Sequence, residues 1–148
     1  MVEIEIARAT WRDAWALSRL HHKCFPAIDA YDWLTYLGLC VWPGVIALKA
    51  VGGERVVGCV AADLRRRHKH AVVVTLNVDP EWQRRRLGQR LMRACEARID
   101  LPRIRLQVRK SNVPALALYR KLGYDIVGRL PHYYGDGEDG YVMEKVRG

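Results

Sequence analysis

Charged and apolar residues alternate from Glu3 to Arg8 (EIEIAR), the period of a strand with one face buried. The pattern then changes. Ala14, Leu17, Leu20 and Cys24 recur at helical spacing, with Thr10 as N-cap, Asp13 three residues on as a loose capping box, and Pro26 as the stop. Tyr31–Leu39 reads as a second, short helix. Pro43-Gly44 is a turn, Val45–Val51 a strand, Gly52-Gly53 a tight hairpin, and Arg55–Asp63 the next strand. Ala71–Val78 is apolar and β-branched throughout, as a central strand is.

The second half repeats the switch of period. Leu87, Leu91, Cys95 and Ile99 share a helix face that Pro102 ends, and Ile104–Val108 alternates as a strand. Asn112 caps a helix with Ala115, Leu118, Tyr119 and Leu122 on one face, and Gly123 suits the left-handed position after it. Tyr124–Leu130 and Gly140–Val146 are strands around a Gly-rich turn. The predicted order is β-α-α-β-β-β-α-β-α-β-β, a mixed sheet with helices packed on its faces. No repeat or linker divides residues 1–148, so a single domain is expected.

Composition narrows the classes. Apolar residues make up 50% of the chain and charged residues 28%, an ordinary globular balance. No apolar run approaches the roughly 18 residues of a membrane span, and MVEIEIARAT lacks a signal pattern. The expectation is a cytosolic protein with no membrane partner. Cys24, Cys40, Cys59 and Cys95 stand far apart and the histidines form no HExxH pattern, so no metal site is expected and the cysteines read as small apolar groups. The formal net charge of +9 attracts anions such as nucleic acid, phosphorylated cofactors or acidic peptides, without choosing among them.

One stretch focuses that charge. VDPEWQRRRLGQRL, from Val78 to Leu91, puts three arginines where a strand hands over to a helix. A helix N-terminus carries unpaired N–H groups and about half a positive charge, and so favours an anion. The backbone of Arg84–Gln89, with Gly88 allowing close approach, forms a phosphate cradle on this reading; a merely solvated basic turn is the plainer alternative. Arg65–His70 (RRRHKH) reads as a solvated hairpin tip.

The same stretch is similar to the acetyl-CoA-binding motif of the GNAT family of N-acetyltransferases, with Gln83 and Gly88 in register and Arg86 in place of the motif's first glycine. LQVRKSNVPALALYRKLGYDIVGRLPHYYGDGEDGYVMEK resembles the family's second signature, and its ending is most like that of ribosomal-protein-alanine and other protein N-terminal acetyltransferases. The resemblance is clear from about residue 72 onward; before that, element order and Cys24-Phe25-Pro26 agree. It implies the GNAT fold, an α/β (α+β) class: a mostly antiparallel sheet splayed at its centre, with helices on both faces.

The resemblance also implies roles. The backbone of Leu76, Asn77 and Val78 would pair with the pantetheine arm, admitted by splaying after Val78, and Gln83, Arg84, Arg85, Arg86, Leu87, Gly88 and Gln89 would hold the pyrophosphate. Asn112 would touch the cofactor as well as cap its helix. Tyr119 would protonate the departing thiolate; packing is its plainer role. Gln107 stands where the ribosomal-alanine enzymes carry a glutamate base, and an amide cannot take that proton; Glu144 and His132 are alternatives. Phe25, Tyr133 and Tyr134 would contact the acceptor. The implied activity is transfer of acetyl from acetyl-CoA to a primary amine by direct attack, in a monomer or homodimer. The acceptor stays open among a protein N-terminal α-amine, a small-molecule amine and an amino acid. The rivals are a non-catalytic acyl-CoA-binding domain and, less favoured, a basic nucleic-acid-binding module.

Overall fold

The computed structural model describes residues 3–25, 31–83 and 85–147. Pro26, the expected helix stop, and Arg84 of the basic turn lie outside them. The elements are β1 (Ile4–Arg8), α1 (Ala14–Cys24), α2 (Trp33–Val41), β2 (Val45–Gly52), β3 (Arg55–Arg65), β4 (His70–Val78), α3 (Leu87–Ala97), β5 (Arg103–Arg109), α4 (Val113–Lys121), β6 (Asp125–Leu130) and β7 (Gly140–Val146). Their order is the one the periodicity predicts. The strands form one sheet, β1-β2-β3-β4-β5-β7-β6, in which only β4 and β5 run parallel.

Local chemistry explains most boundaries. The Asp13 carboxylate accepts from the amide and hydroxyl of Thr10 (2.8 and 3.3 Å). The Asp13 amide donates to the Thr10 carbonyl at 2.9 Å, closing a 3₁₀ turn before α1, so the helix starts later than Thr10 alone suggests. Lys49 ties Asp13 to β2 at 2.9 Å. Asn112 caps α4 by accepting from the Ala115 amide at 3.3 Å, and Gly123 takes φ 99° beyond its end.

Two cores sandwich the sheet. On one face α3 and α4 bury Leu87, Leu91, Met92, Cys95, Tyr119 and Leu122 against Val60, Val73, Ile104, Leu106 and Met143. On the other α1 and α2 bury Leu17, Leu20 and Tyr36 against Ala47, Cys59 and Ala61. All four cysteines are free thiols; Cys59 and Cys95 are fully buried, as an apolar reading asks, whereas Cys24 and Cys40 are only partly buried.

Candidate active site

The parallel ladder between β4 and β5 is short. It runs from His70 opposite Arg103 to Val73 opposite Leu106 and stops there. At the same level the β3–β4 register shifts, because β3 passes from Ala61 to Ala62 while β4 passes from Thr75 to Val73, leaving Val74 as an extra residue. The Tyr31 hydroxyl donates to the freed Val74 carbonyl at 3.0 Å. The strands therefore part after Val73, earlier than the expected opening after Val78.

Beyond that point the backbone of β4 alternates between β3 and the gap. Asp79 donates its N–H to Val57 at 2.8 Å, so Val78 opposite Gly58 is a non-hydrogen-bonded pair and Asn77 opposite Cys59 a bonded one. The amides of Leu76 and Val78 thus face the gap, whereas the Asn77 backbone is committed to β3. This corrects the expectation that all three would serve a ligand. The Val78 carbonyl accepts from the Cys24 thiol (3.3 Å) and the Gln83 side-chain amide (3.3 Å). Burial, then the charge of Asp79, pushes the Cys24 thiol up to about 11, so it stays protonated as that donor.

The turn after Val78 is braced. Asp79, 2% exposed, accepts from the Glu81 amide (3.0 Å) and from Lys23 (2.9 Å), with Arg55 at 3.4 Å. Burial alone would raise its carboxyl; Lys23, the Glu81 amide and Arg55 outweigh that and hold it below the usual carboxylate range. Trp82 packs its indole over Gly52, where a Cβ would stand 2.7 Å from the ring, and the Arg85 guanidinium lies 4.6 Å from the centre of that indole.

Arg86 then adopts φ 57°, ψ 23° as N-cap of α3. This is the left-handed helical well, which a non-glycine residue enters at a cost of about 1–2 kcal/mol. The first helical bond runs from the Arg90 amide to the Arg86 carbonyl (3.0 Å), so the N–H groups of Leu87, Gly88 and Gln89 have no acceptor within the helix. Gln83, Arg85 and Arg86 are exposed and Leu87 is buried. A Cβ on Gly88 would make only ordinary contact with Leu118, at 3.4 Å.

Tyr119 is buried in α4 with Tyr124 edge-on at 5.9 Å, and burial, then Tyr134, pushes its phenol well above the ordinary range. Gln107 is exposed on β5, on the sheet face that α1 and α2 cover further along, opposite Val142. Two residues before it, Arg105 donates to Glu144 at 2.5 Å, and His132 Nδ1 lies 3.0 Å from the Gly137 carbonyl. Both alternative bases are thus already hydrogen-bonded.

Phe25 follows α1 and packs its ring 4.4 Å from that of His21. Tyr133 is exposed and Tyr134 half-buried, edge to face at 5.1 Å. Sequence reading missed Arg109, which sits 4.3 Å over the Tyr134 ring and donates to Asp136 and Glu138, shaping the loop that carries both tyrosines. It also missed the buried cluster beneath β4. There His21 Nδ1 and the Tyr36 hydroxyl lie 2.6 Å apart, and the Asn77 side-chain amide donates to Tyr36 (3.1 Å) and Thr75 (3.1 Å), its own oxygen unpaired. The buried polar residue Asn77 in an apolar strand was the available signal. No group of residues suited to a metal ion occurs among the described residues.

A family model described as the acetyltransferase (GNAT) family matches residues 8–124. The chain is 35% identical over 120 residues to the N-terminal acetyltransferase B complex catalytic subunit NAA20 of Arabidopsis thaliana, covering 77% of this chain and 68% of that one. It is 30% identical to the L-amino acid N-acetyltransferase AaaT of Escherichia coli, covering 99% and 100%. In fold it resembles the ribosomal-protein-S18-alanine N-acetyltransferase of Escherichia coli, with a TM-score of 0.85 and 22% identity over 97% of this chain and 94% of that one. The parted strands and the open helix start thus belong to a known architecture, and the chain is a member of the GNAT family of N-acetyltransferases.

Proposed function

We propose that the chain transfers acetyl from acetyl-CoA to an α-amine, with a protein N-terminus as the favoured acceptor. The observation that carries this is the gap after Val73 and Leu106, into which the unpaired amides of Leu76 and Val78 point. Those amides suit an extended amide-bearing arm laid in as a surrogate strand. The free N–H groups of Leu87, Gly88 and Gln89 suit a diphosphate, with Arg85 and Arg86 adding charge and Asn112 at the start of the neighbouring helix. These residues fit coenzyme A, whose thioester would supply the activated acetyl group.

In this arrangement the Val78 amide stabilises the oxyanion formed when an amine attacks the thioester carbonyl. Tyr119, kept neutral by burial, is the proton donor for the departing thiolate. With an amide at Gln107 and Glu144 held by Arg105, the attacking amine would arrive unprotonated or lose its proton to solvent. That favours acceptors of low pKa. At neutral pH roughly a tenth of an α-amine is free base, against well under a hundredth of a lysine.

Similarity to NAA20 supports a protein N-terminus, and full-length similarity to AaaT supports a second reading, a free amino acid; both present α-amines. Thiol release measured over N-terminal peptides, free amino acids, lysine-bearing peptides and small amines decides between them. Acetyl-CoA should raise the melting temperature. No shift at about millimolar cofactor, where even weak binding stabilises, removes the proposal.

A further inference from the structure

The surface of the α1–α2 layer has an unusual make-up. Trp11 (60%), Trp15 (64%), Trp33 (45%) and Trp42 (68%) are all exposed, joined by Leu34 and Val41. These are four of the chain's five tryptophans. The sequence of α2, WLTYLGLCV, contains no charge, yet only Tyr36 in it is fully buried. A helix apolar on every side is normally enclosed. A cluster of exposed large apolar side chains marks a surface that meets something. The two helices pack on each other over one sheet face, so their outward side chains share that side of the molecule.

Charge selects the occupant. Exposed among these tryptophans on the described helices and the turn before them are Arg12 and Arg19, with Lys23 also exposed but paired to Asp79 at 2.9 Å. Arg12 lies 5.3 Å from the Trp11 ring centre. Among the described residues of these two helices and the turns that precede them, Asp32 is the one exposed acid, and its carboxylate is engaged as the cap of α2, accepting from the Thr35 amide (2.9 Å). Asp13 is neutralised by Lys49 at 2.9 Å. A second copy would bring the same cations face to face. An anionic partner is attracted instead. Tryptophan with arginine, rather than leucine with glutamate, is the composition of elements that lie in the headgroup layer of a bilayer.

We propose that the α1–α2 face docks on an anionic lipid bilayer, with Trp33, Leu34, Val41 and Trp42 entering the headgroup layer and Arg12 and Arg19 pairing with lipid phosphates. That no helix among the described residues is long and apolar enough to cross a membrane concerns insertion and leaves docking on its surface open. Catalysis would continue at the surface, because none of these side chains belongs to the site between β4 and β5.

The full chain should co-sediment with vesicles mixing phosphatidylglycerol and phosphatidylcholine, with a blue shift in tryptophan emission. Binding to phosphatidylcholine alone should be at least about tenfold weaker, and added salt should weaken the anionic binding. Trp33→Ser with Trp42→Ser should abolish sedimentation. Arg12→Glu with Arg19→Glu should weaken it by at least about fivefold for each arginine. Both double variants should keep the thermal shift with acetyl-CoA, which shows that they fold. The proposal is overturned if the unmodified chain ignores anionic vesicles at low salt, if both vesicle types bind equally, or if the tryptophan pair instead dissolves a dimer detected by light scattering.

Discussion

The indole of Trp82 occupies the space above Gly52 so closely that a Cβ there would lie 2.7 Å from the ring. The turn between β4 and α3, the proposed diphosphate site, is thereby clamped to the β2–β3 hairpin, and the clamp works only with glycine. Gly52→Ala should displace Trp82, lower stability by about 1–3 kcal/mol, and raise KM for acetyl-CoA severalfold. Calorimetry and thiol-release kinetics check it; an unchanged KM would mean that the loop holds its shape without the indole.

Arg86 sits at φ 57° where the family motif has glycine. Arg86→Gly should relieve the backbone and stabilise the free protein by about 1 kcal/mol, while loss of the guanidinium weakens acetyl-CoA binding. Arg86→Val should be destabilised, since a β-branched residue tolerates this region poorly. A glycine variant that melts lower than the parent would contradict the assignment of strain to this residue.

Tyr119→Phe removes the proposed acid and little else from a packed helix face. Turnover should fall by about 10²–10⁴-fold, with the acetyl-CoA thermal shift retained. The raised pKa of this phenol means that its proton stays in place through neutral and mildly alkaline pH, so no loss of activity from its ionisation should appear there. Unchanged turnover in the phenylalanine variant would leave Tyr119 a packing residue.

Gln107→Glu installs a carboxylate on an exposed part of β5, on the same strand face as the Arg105–Glu144 pair. Activity should stay level or rise, with the gain largest toward pH 6, where free amine is scarce and a base helps most. Abolished activity would show that the amide itself performs a task, such as orienting the acceptor.

Asp79 has its pKa depressed in the folded state, so it stabilises the fold above its unfolded value near 3.9, and that contribution drains away as pH falls through the lower folded value. Asp79→Asn should cost about 2 kcal/mol at pH 7 and much less near pH 3. Denaturation at both pH values tests this; an equal loss at the two would assign the role to packing.

The element order was legible because apolar spacing changes between two and three to four residues at each boundary. Gly123 was legible too, because a helix end asks for a left-handed residue and glycine answers at φ 99°. The site's backbone was not. Whether Asn77 or Val78 faces the gap depends on the bulge at Val74, which arises only when β3 and β4 pair. Arg109 reaches Asp136 and Glu138, 27 and 29 residues away, and Lys23 reaches Asp79 across 56. Such partners are selected by topology, and no local pattern announces them. Arg86 was legible as a departure from the motif, but not the left-handed well that its backbone enters, which arginine can adopt at the cost of some strain.

The central seam has a mechanical consequence. Four residue pairs, from His70–Arg103 to Val73–Leu106, make up the strand pairing between the β1–β4 side of the sheet and the β5–β7 side. Beyond it the sheet is held together by the core under α3 and α4 rather than by strand pairing, and Leu76 and Val78 amide protons should trade with deuterated water quickly. On the proposed reading an arm threaded between the strands would become the missing rung, so the enzyme should be stiffest when charged with acetyl and loosest after the spent carrier departs.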